Sequence, residues 1–480
     1  MRKKTLSAAV LCAATVIGVS GLSVTSAAAA EPTPRPKADF NGDGYADLAV
    51  GVPGATVGGK AKAGYVNVVW GGKNGLGKHG SATVSQDSAG VPGHAEKDDG
   101  FGYAVRPADM NGDGITDIVV GTPDEDNGTQ LSAGTVTVLW GSKSGIKGGF
   151  TAATGEYSSE RLGALLTTGD FDGDKDQDIV LNRAGEESSG VALRPGPVKE
   201  GSPSGLKPIT SWHFNGPVAV TSADFDADGR DDLAVSYGDG EITGTDVLSH
   251  PDAGTRPWKE RWSIADYSHS LAAGDFDGDG TVDLALGNIA ASSESDGDNF
   301  CPDTLGGSIA TAYGKRGTTL GGPTSCTNQG SPGVGGEDEN GDAFGSRLAV
   351  ANLDRDGIDE LIAGSESEAV GSAKKAGSYW VLASTGPGKP FAGPSISQNS
   401  AGVPGTAEAG DRFGAAVATG DFNGDGYPDT AVGAPGEDAS KGGVWYARTP
   451  KDGPNPAQVS LTPGKLGLSG AHKYGSVLGR

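Results

Sequence analysis

Asp39, Asn41, Asp43 and Asp47 occupy positions 1, 3, 5 and 9 of a nine-residue segment, with Tyr45 at position 7. Side-chain oxygens at 1, 3 and 5 of a tight loop can point inward at one hard cation. Position 7 can add its backbone carbonyl, and the acid at 9 closes the cage. The pattern recurs at Asp109, Asn111, Asp113, Ile115 and Asp117, and at Asp170, Asp172, Asp174, Asp176 and Asp178. It recurs again at Asp224, Asp226, Asp228, Arg230 and Asp232, and at Asp275, Asp277, Asp279, Thr281 and Asp283. The last two copies are Asn352, Asp354, Asp356, Ile358 and Glu360, and Asp421, Asn423, Asp425, Tyr427 and Asp429. The expected ion is calcium, up to seven of them, held at the weak affinity of extracellular modules, about 10⁻⁴ to 10⁻³ M.

An EF-hand loop opens in the same way but needs a bidentate acid at position 12. Here position 12 is Val50, Val120, Leu181, Val235, Leu286, Ala363 or Val432, so that reading fails in every copy. Three copies depart from the pattern. Lys175 stands at position 6 and Ala227 at position 4, and the sixth copy has Asn352 first, Arg355 fourth and Glu360 last. Glycine is the usual residue where the turn requires positive φ, so these three loops are expected to be the weaker sites.

Each loop runs into a short apolar, β-rich segment that stops at a turn former, as a buried strand does. Successive loops start 51 to 77 residues apart, a period that belongs to propellers, solenoids or arrays. Well-preserved repeats carry an aromatic-Gly pair ahead of the loop: Phe101-Gly102, Phe344-Gly345, Phe413-Gly414, with Leu162-Gly163 as a variant. A Gly-x-Pro turn follows the loop, as in Gly51-Val-Pro53, Gly121-Thr-Pro123 and Gly433-Ala-Pro435. Then comes Ala-Gly and a run ending in an aromatic, such as Ala63-Gly64 through Trp70 or Ala133-Gly134 through Trp140. Three such runs and a fourth in the linker predict a four-stranded antiparallel sheet per repeat.

The chain ends decide between a closed ring and an open solenoid. The first loop lacks its upstream aromatic-Gly strand, and His472-Lys-Tyr474-Gly475 through Arg480 supplies one. A unit divided between the two ends latches a closed ring and leaves only short, protected edges. The expected fold is therefore all-β: a seven-bladed β-propeller over residues 38–480, its first blade completed by about 471–480.

Residues 1–30 read as a secretory signal: Arg2, Lys3 and Lys4, an apolar stretch, then Ala28-Ala29-Ala30 with cleavage between Ala30 and Glu31. A short Pro-rich leader, 31–37, would follow. Removing the signal takes three basic residues and no acid, so 34 basic minus 61 acidic residues leaves −27. That balance excludes a nucleic-acid patch as the main function. Positions 1, 3, 5 and 9 of the seven loops hold 24 of these carboxylates, and seven divalent ions would bring −27 to −13. No second span long enough to cross a membrane appears, so the mature chain is expected to be secreted and monomeric. Of the remaining cysteines, an oxidising compartment pairs Cys301 with Cys326, in an insertion at about 292–330.

Other motifs read as structure. Gly72 to Lys78 matches most of a phosphate loop but ends at His79 with no helix to follow. Asp266-Tyr-Ser268-His-Ser270 resembles a metal-adhesion motif of an α/β domain, yet it fills the first-strand slot of the fifth repeat. There is no G-x-S-x-G, no H-E-x-x-H and no Arg-Gly-Asp.

The repeats resemble the FG-GAP repeats of the integrin α-subunit head and of secreted bacterial integrin-like proteins. The resemblance implies a seven-bladed propeller with calcium loops on one face, each joining the first two strands of a blade. It also implies calcium-ligand roles for the five positions of each loop. Blades 4 and 5 depart from it, having lost Phe-Gly and Gly-x-Pro. The expected function is a non-catalytic binding or adhesion module for an extracellular protein or glycan, with specificity in the variable loops. Trp70, Trp140, Trp380 and Trp445 are candidate sugar-stacking platforms, with core packing as the competing role. The alternative is an extracellular hydrolase of esters, phosphodiesters or glycosides built on the same scaffold.

Overall fold

Short apolar runs punctuated by Gly, Asp and Asn turns form strands of two to eight residues, grouped into seven antiparallel sheets of four. The computed structural model describes residues 38–184, 188–202, 205–213, 216–238, 243–250, 258–290, 300–449 and 458–479. The signal segment and its Ala30/Glu31 cleavage site lie outside these residues. Blade 2 is typical, with Ala104–Ala108, Asp117–Thr122, Thr135–Leu139 and Gly149–Thr154 side by side in chain order. In blade 1 the first place is taken by Val477–Leu478, which pairs antiparallel with Leu48–Val52 through Val50 opposite Leu478. The ring is closed by the two ends of the chain, as their sequences predict.

The apolar side chains gather in seven clusters, each lying between two successive blades. Leu48, Val50, Ala416 and Tyr474 belong to the cluster between blades 7 and 1, and Phe40, Val105 and Val120 to the one between blades 1 and 2. A blade alone would leave both faces wet. Burying each such side chain contributes about 1.5–3 kcal/mol, which is recovered only when neighbours stack.

The three landmarks of the repeat form one joint between blades. Phe101, Leu162, Phe344, Phe413 and Tyr474 are fully buried. Their N–H groups donate to the carbonyls of Ala63, Ala133, Gly306, Ala376 and Lys441 in the preceding blade at 2.8–3.0 Å. The glycine after each of them lies under a second-strand glycine of that blade. A Cβ on Gly51, Gly121, Gly287, Gly364 or Gly433 would stand closer than 3.0 Å to the carbonyl oxygen of Gly102, Gly163, Gly345, Gly414 or Gly475. Glycine is required there by close approach of two backbones. Blades 4 and 5 do not begin with this pair, as their sequences indicate.

Cys301 and Cys326 form a disulfide with Cα atoms 5.5 Å apart. The segment read as an insertion contains two regular strands of blade 5, Ser308–Ala312 and Ser325–Thr327, so the extra chain lies between Asn288 and Ser308. Among the described residues no helix is long and apolar enough to cross a membrane.

Candidate metal centres

Six of the loops join the first and second strands of their blades and the loop at 39–47 leads into the second strand of blade 1, so antiparallel order puts all seven at one end of the ring. The residue at position 2 anchors each loop. Phe40, Met110, Phe171, Phe225, Phe276, Leu353 and Phe422 are buried, each in the cluster shared with the next blade. Positions 4 and 6 both take positive φ in all seven copies. Lys175 at +74°, Ala227 at +58° and Arg355 at +63° adopt it without being glycine, each at a cost of about 1–2 kcal/mol.

The side chains fold inward upon the backbone. The position 5 carboxylate accepts the N–H of position 7 in every loop, at 2.8–3.1 Å. The position 1 carboxylate accepts the N–H of position 6 in six loops: Gly44 to Asp39, Gly114 to Asp109, Lys175 to Asp170, Gly229 to Asp224, Gly280 to Asp275 and Gly426 to Asp421. The acid at position 9 is buried throughout. One of its oxygens accepts the N–H of position 2, as Asp47 does from Phe40 at 2.9 Å and Glu360 from Leu353 at 2.7 Å. The other accepts an N–H just past the third strand, from Gly71, Gly141, Gly196 and Gly314 to Asp47, Asp117, Asp178 and Asp283. Asp429 is held instead by Asn423 Nδ2, the Tyr446 hydroxyl and the Thr449 N–H.

Burial pushes these acids far up, opposed by their backbone donors and reinforced by the loop's other carboxylates. Asp47, Asp117, Asp178, Asp232 and Glu360 rise to about 7, Asp283 to about 8 and Asp429 to about 6. A cation among them would reverse that shift.

In four loops three carboxylates converge, each presenting an oxygen within 4.8 Å of the others: Asp170, Asp172 and Asp178; Asp224, Asp226 and Asp232; Asp275, Asp277 and Asp279; Asp354, Asp356 and Glu360. Three of these four are the loops whose sequences depart from the pattern. In those same three loops Asp172 Oδ1, Asp226 Oδ1 and Asn352 Oδ1 are buried and lack a hydrogen-bond partner. Orphaned oxygens facing a carboxylate cluster fit a hard cation. The non-glycine residues therefore strain the backbone without opening the cage. In loops 4 and 7 an arginine also takes up the position 5 acid, Arg230 on Asp228 and Arg448 on Asp425.

The side chain at position 7 has a packing role of its own. The Tyr45 ring lies against Gly424 of the preceding loop, Ile115 against Gly42, Arg230 against Gly173 and Ile358 against Gly278. Arg355 stacks over the Tyr427 ring at 5.4 Å. The loops are thus packed against one another around the ring, which the spacing within one copy does not reveal.

Elsewhere the structural readings hold. Trp380 and Trp445 are buried, with Nε1 donating to the Gly335 and Pro404 carbonyls at 2.7 Å, which removes them as sugar platforms. Trp70 and Trp140 are half-buried. Ser268 and Ser270 are buried, and the Ser270 hydroxyl donates to the Gly345 carbonyl at 2.6 Å. Residues 72–79 are turns without a helix.

A family model described as the FG-GAP repeat matches residues 37–69, 101–139 and 413–446, in blades 1, 2 and 7. In these three stretches the chain carries FG-GAP repeats. Among curated proteins, phosphatidylinositol-glycan-specific phospholipase D of Bos taurus is 32% identical over 146 residues, 30% of this chain and 17% of that protein. Integrin alpha-PS2 of Drosophila melanogaster is 25% identical over 244 residues, 49% of this chain and 15% of that protein. The chain therefore spans under a fifth of the length of these relatives. Among solved structures, rhamnogalacturonan lyase YesW aligns over 85% of this chain and 74% of that one, at 14% identity and a TM-score of 0.38. The expectation of a non-catalytic module is corrected by the phospholipase D matches. Relatives named as phospholipases D stand against that expectation, which rested on the missing G-x-S-x-G and H-E-x-x-H motifs.

Proposed function

We propose that this chain is a secreted FG-GAP propeller whose loops hold calcium and which serves as the scaffold of an extracellular hydrolase, with a phosphodiester as the favoured substrate class. The observation that carries this reading is the 32% identity to the Bos taurus phospholipase D, with a parallel match in Rattus norvegicus. The all-oxygen, anionic donor sets and the orphaned oxygens of Asp172, Asp226 and Asn352 support calcium as the ion. In this role the ion holds the loop end of each blade, and the chain's own acids and N–H groups set the loop shape that receives it. The test is turnover by the purified chain, with calcium, on chromogenic phosphodiesters, esters and glycosides. Calcium-dependent release from the phosphodiester supports the proposal. A folded, calcium-loaded chain inert on the whole panel overturns it.

A second reading, recognition of an extracellular protein or glycan, is favoured by the Drosophila integrin match, which extends over more of this chain than the phospholipase match. A glycan array and a surface-protein panel, each run with calcium and with chelator, separate the two.

A further inference from the structure

At the end of the ring opposite the loops, a nine-residue segment is repeated almost unchanged. Ser85-Gln86-Asp-Ser-Ala-Gly-Val-Pro-Gly93 and Ser397-Gln398-Asn-Ser-Ala-Gly-Val-Pro-Gly405 differ at one position, and Asn328-Gln329 through Gly336 is a looser copy. Each leads from the fourth strand of one blade towards the first strand of the next, at the junctions of blades 1 and 2, 5 and 6, and 6 and 7. In all three the glutamine crosses the junction. Gln86 Nε2 donates to Glu125 Oε2 at 2.7 Å, Gln329 to Glu368 at 2.8 Å and Gln398 to Glu437 at 2.6 Å.

A second acid acts on each of these glutamates. Asp99, Asp342 and Asp411, two residues before Phe101, Phe344 and Phe413, are buried and accept the N–H of Glu96, Glu339 and Glu408. The glutamate backbones are fixed identically, with their carbonyls accepting from Gly134, Gly377 and Gly442 at 2.9 Å. Because the amide nitrogen faces a carboxylate, the amide oxygen is left over. Gln86, Gln329 and Gln398 are 5%, 2% and 1% exposed, and in each Oε1 has no hydrogen-bond partner. A buried amide oxygen without a donor, beside two acids, is a costly arrangement if nothing fills it.

The junction of blades 2 and 3 supplies the contrast. Glu160, two residues before Leu162, occupies the place of Asp99 and accepts the Glu156 N–H at 2.6 Å. It is also paired with Arg183 Nε of the next blade at 3.1 Å. There the chain brings its own cation. At the other junctions the groups acting most strongly on Glu368 and Glu437 are the glutamine and further acids, Asp342 and Glu339, or Asp411, Asp438 and Glu408. Only Asp99 has a basic neighbour among its strongest influences, Lys60.

We propose that Gln86, Asp99 and Glu125, Gln329, Asp342 and Glu368, and Gln398, Asp411 and Glu437 form three further cation sites, each coordinating one hard divalent ion of calcium's size between two blades. The donors are the glutamine Oε1 and the two carboxylates, an all-oxygen anionic set that suits such an ion and not a soft one. The ion acts as a rivet at the end of the ring that the loops do not reach. Burial raises Glu125 and Glu368 to about 7 and Asp99 and Asp342 to about 6, a condition that a bound cation would relieve.

The test uses the intact chain crystallised with terbium as the calcium probe. Anomalous density beside Gln86, Gln329 and Gln398, and none beside Glu160 and Arg183, is the expected result. Density confined to the loops, with water or nothing at the glutamines, overturns the proposal. In solution, the combined variant Glu125→Gln, Glu368→Gln and Glu437→Gln should carry three fewer ions than the parent by native mass spectrometry. Should that variant not fold, Glu368→Gln alone should carry one fewer. An unchanged ion count in a folded variant, the behaviour of a glutamate that is merely protonated, overturns the proposal equally.

Discussion

The Tyr474 hydroxyl donates a 2.9 Å hydrogen bond to Asn67 Oδ1, across 407 positions of sequence and wholly inside the protein. Tyr474 comes from the C-terminal strand region, Asn67 from the second strand that the N-terminal segment supplies to blade 1. The Asn67 amide nitrogen is already committed to the Ala82 carbonyl at 3.0 Å, so the tyrosine satisfies the other half. Tyr474→Phe should leave Asn67 Oδ1 without a donor and cost about 1–3 kcal/mol, read as a lower urea midpoint. A parental midpoint would show that the Val477–Leu478 pairing closes the ring without help from this bond.

Two glycines separate strain within a chain from a clash between blades. Gly114 has φ +82° and no atom within 4 Å of a Cβ built on it, so Gly114→Ala should cost about 1–2 kcal/mol, the price of the left-handed backbone alone. Gly121 needs no left-handed backbone, but its Cβ would strike the Gly163 carbonyl of the next blade. Gly121→Ala should therefore destabilise more than Gly114→Ala, because two blades must move apart. Equal effects in urea denaturation would mean that the joint between blades is loose.

The ring was legible because the loops and the strands beside them are local patterns. Seven copies of the Asp39 to Asp47 segment count the blades, and Tyr474-Gly475 at the far end shows where the ring shuts. What could not be read are relations between blades. Phe101-Gly102, Gly51 and Gly64 look like separate landmarks because they lie in different parts of the sequence, and only stacking makes them one joint. The side-chain geometry inside the loops was not legible either. Lys175, Ala227 and Arg355 mark backbone strain, whereas the convergence of Asp170, Asp172 and Asp178 depends on side-chain directions that composition does not record. Gln86 and Gln398 did leave a signal, the repeated nine-residue segment, but no motif chemistry accompanied it.

Non-glycine residues at the left-handed loop positions offer a relief that depends on what their side chains do. Ala227 makes no interaction that glycine would lose, so Ala227→Gly should stabilise by up to about 1 kcal/mol, offset by the freer unfolded chain. Arg355→Gly relieves the same backbone strain but removes the stack over Tyr427, worth about 0.5–1 kcal/mol at an exposed site, and should be close to neutral. Thermal melts of the two variants under identical calcium would show the difference. Equal stabilisation by both would remove the Arg355 and Tyr427 contact from the account of the ring.

The buried acids at position 9 give the loops a pH dependence whose sign differs with and without metal. In the metal-free chain Asp47, Asp117, Asp178, Asp232 and Glu360 titrate at about 7, and Asp283 at about 8, against ordinary values near 4 once unfolded. Between roughly pH 4 and 7 the folded state therefore binds more protons than the unfolded one, and stability falls as pH rises through that window. A cation must displace those protons to bind, so its stabilising effect grows over the same range. The melting temperature of the dialysed, metal-free chain should decline from pH 5 to pH 8, while the increment from added calcium widens. A metal-free melting temperature that climbs steadily over this range, or a calcium increment that is the same at pH 5 and pH 8, would rule out these acids as the groups the ion engages.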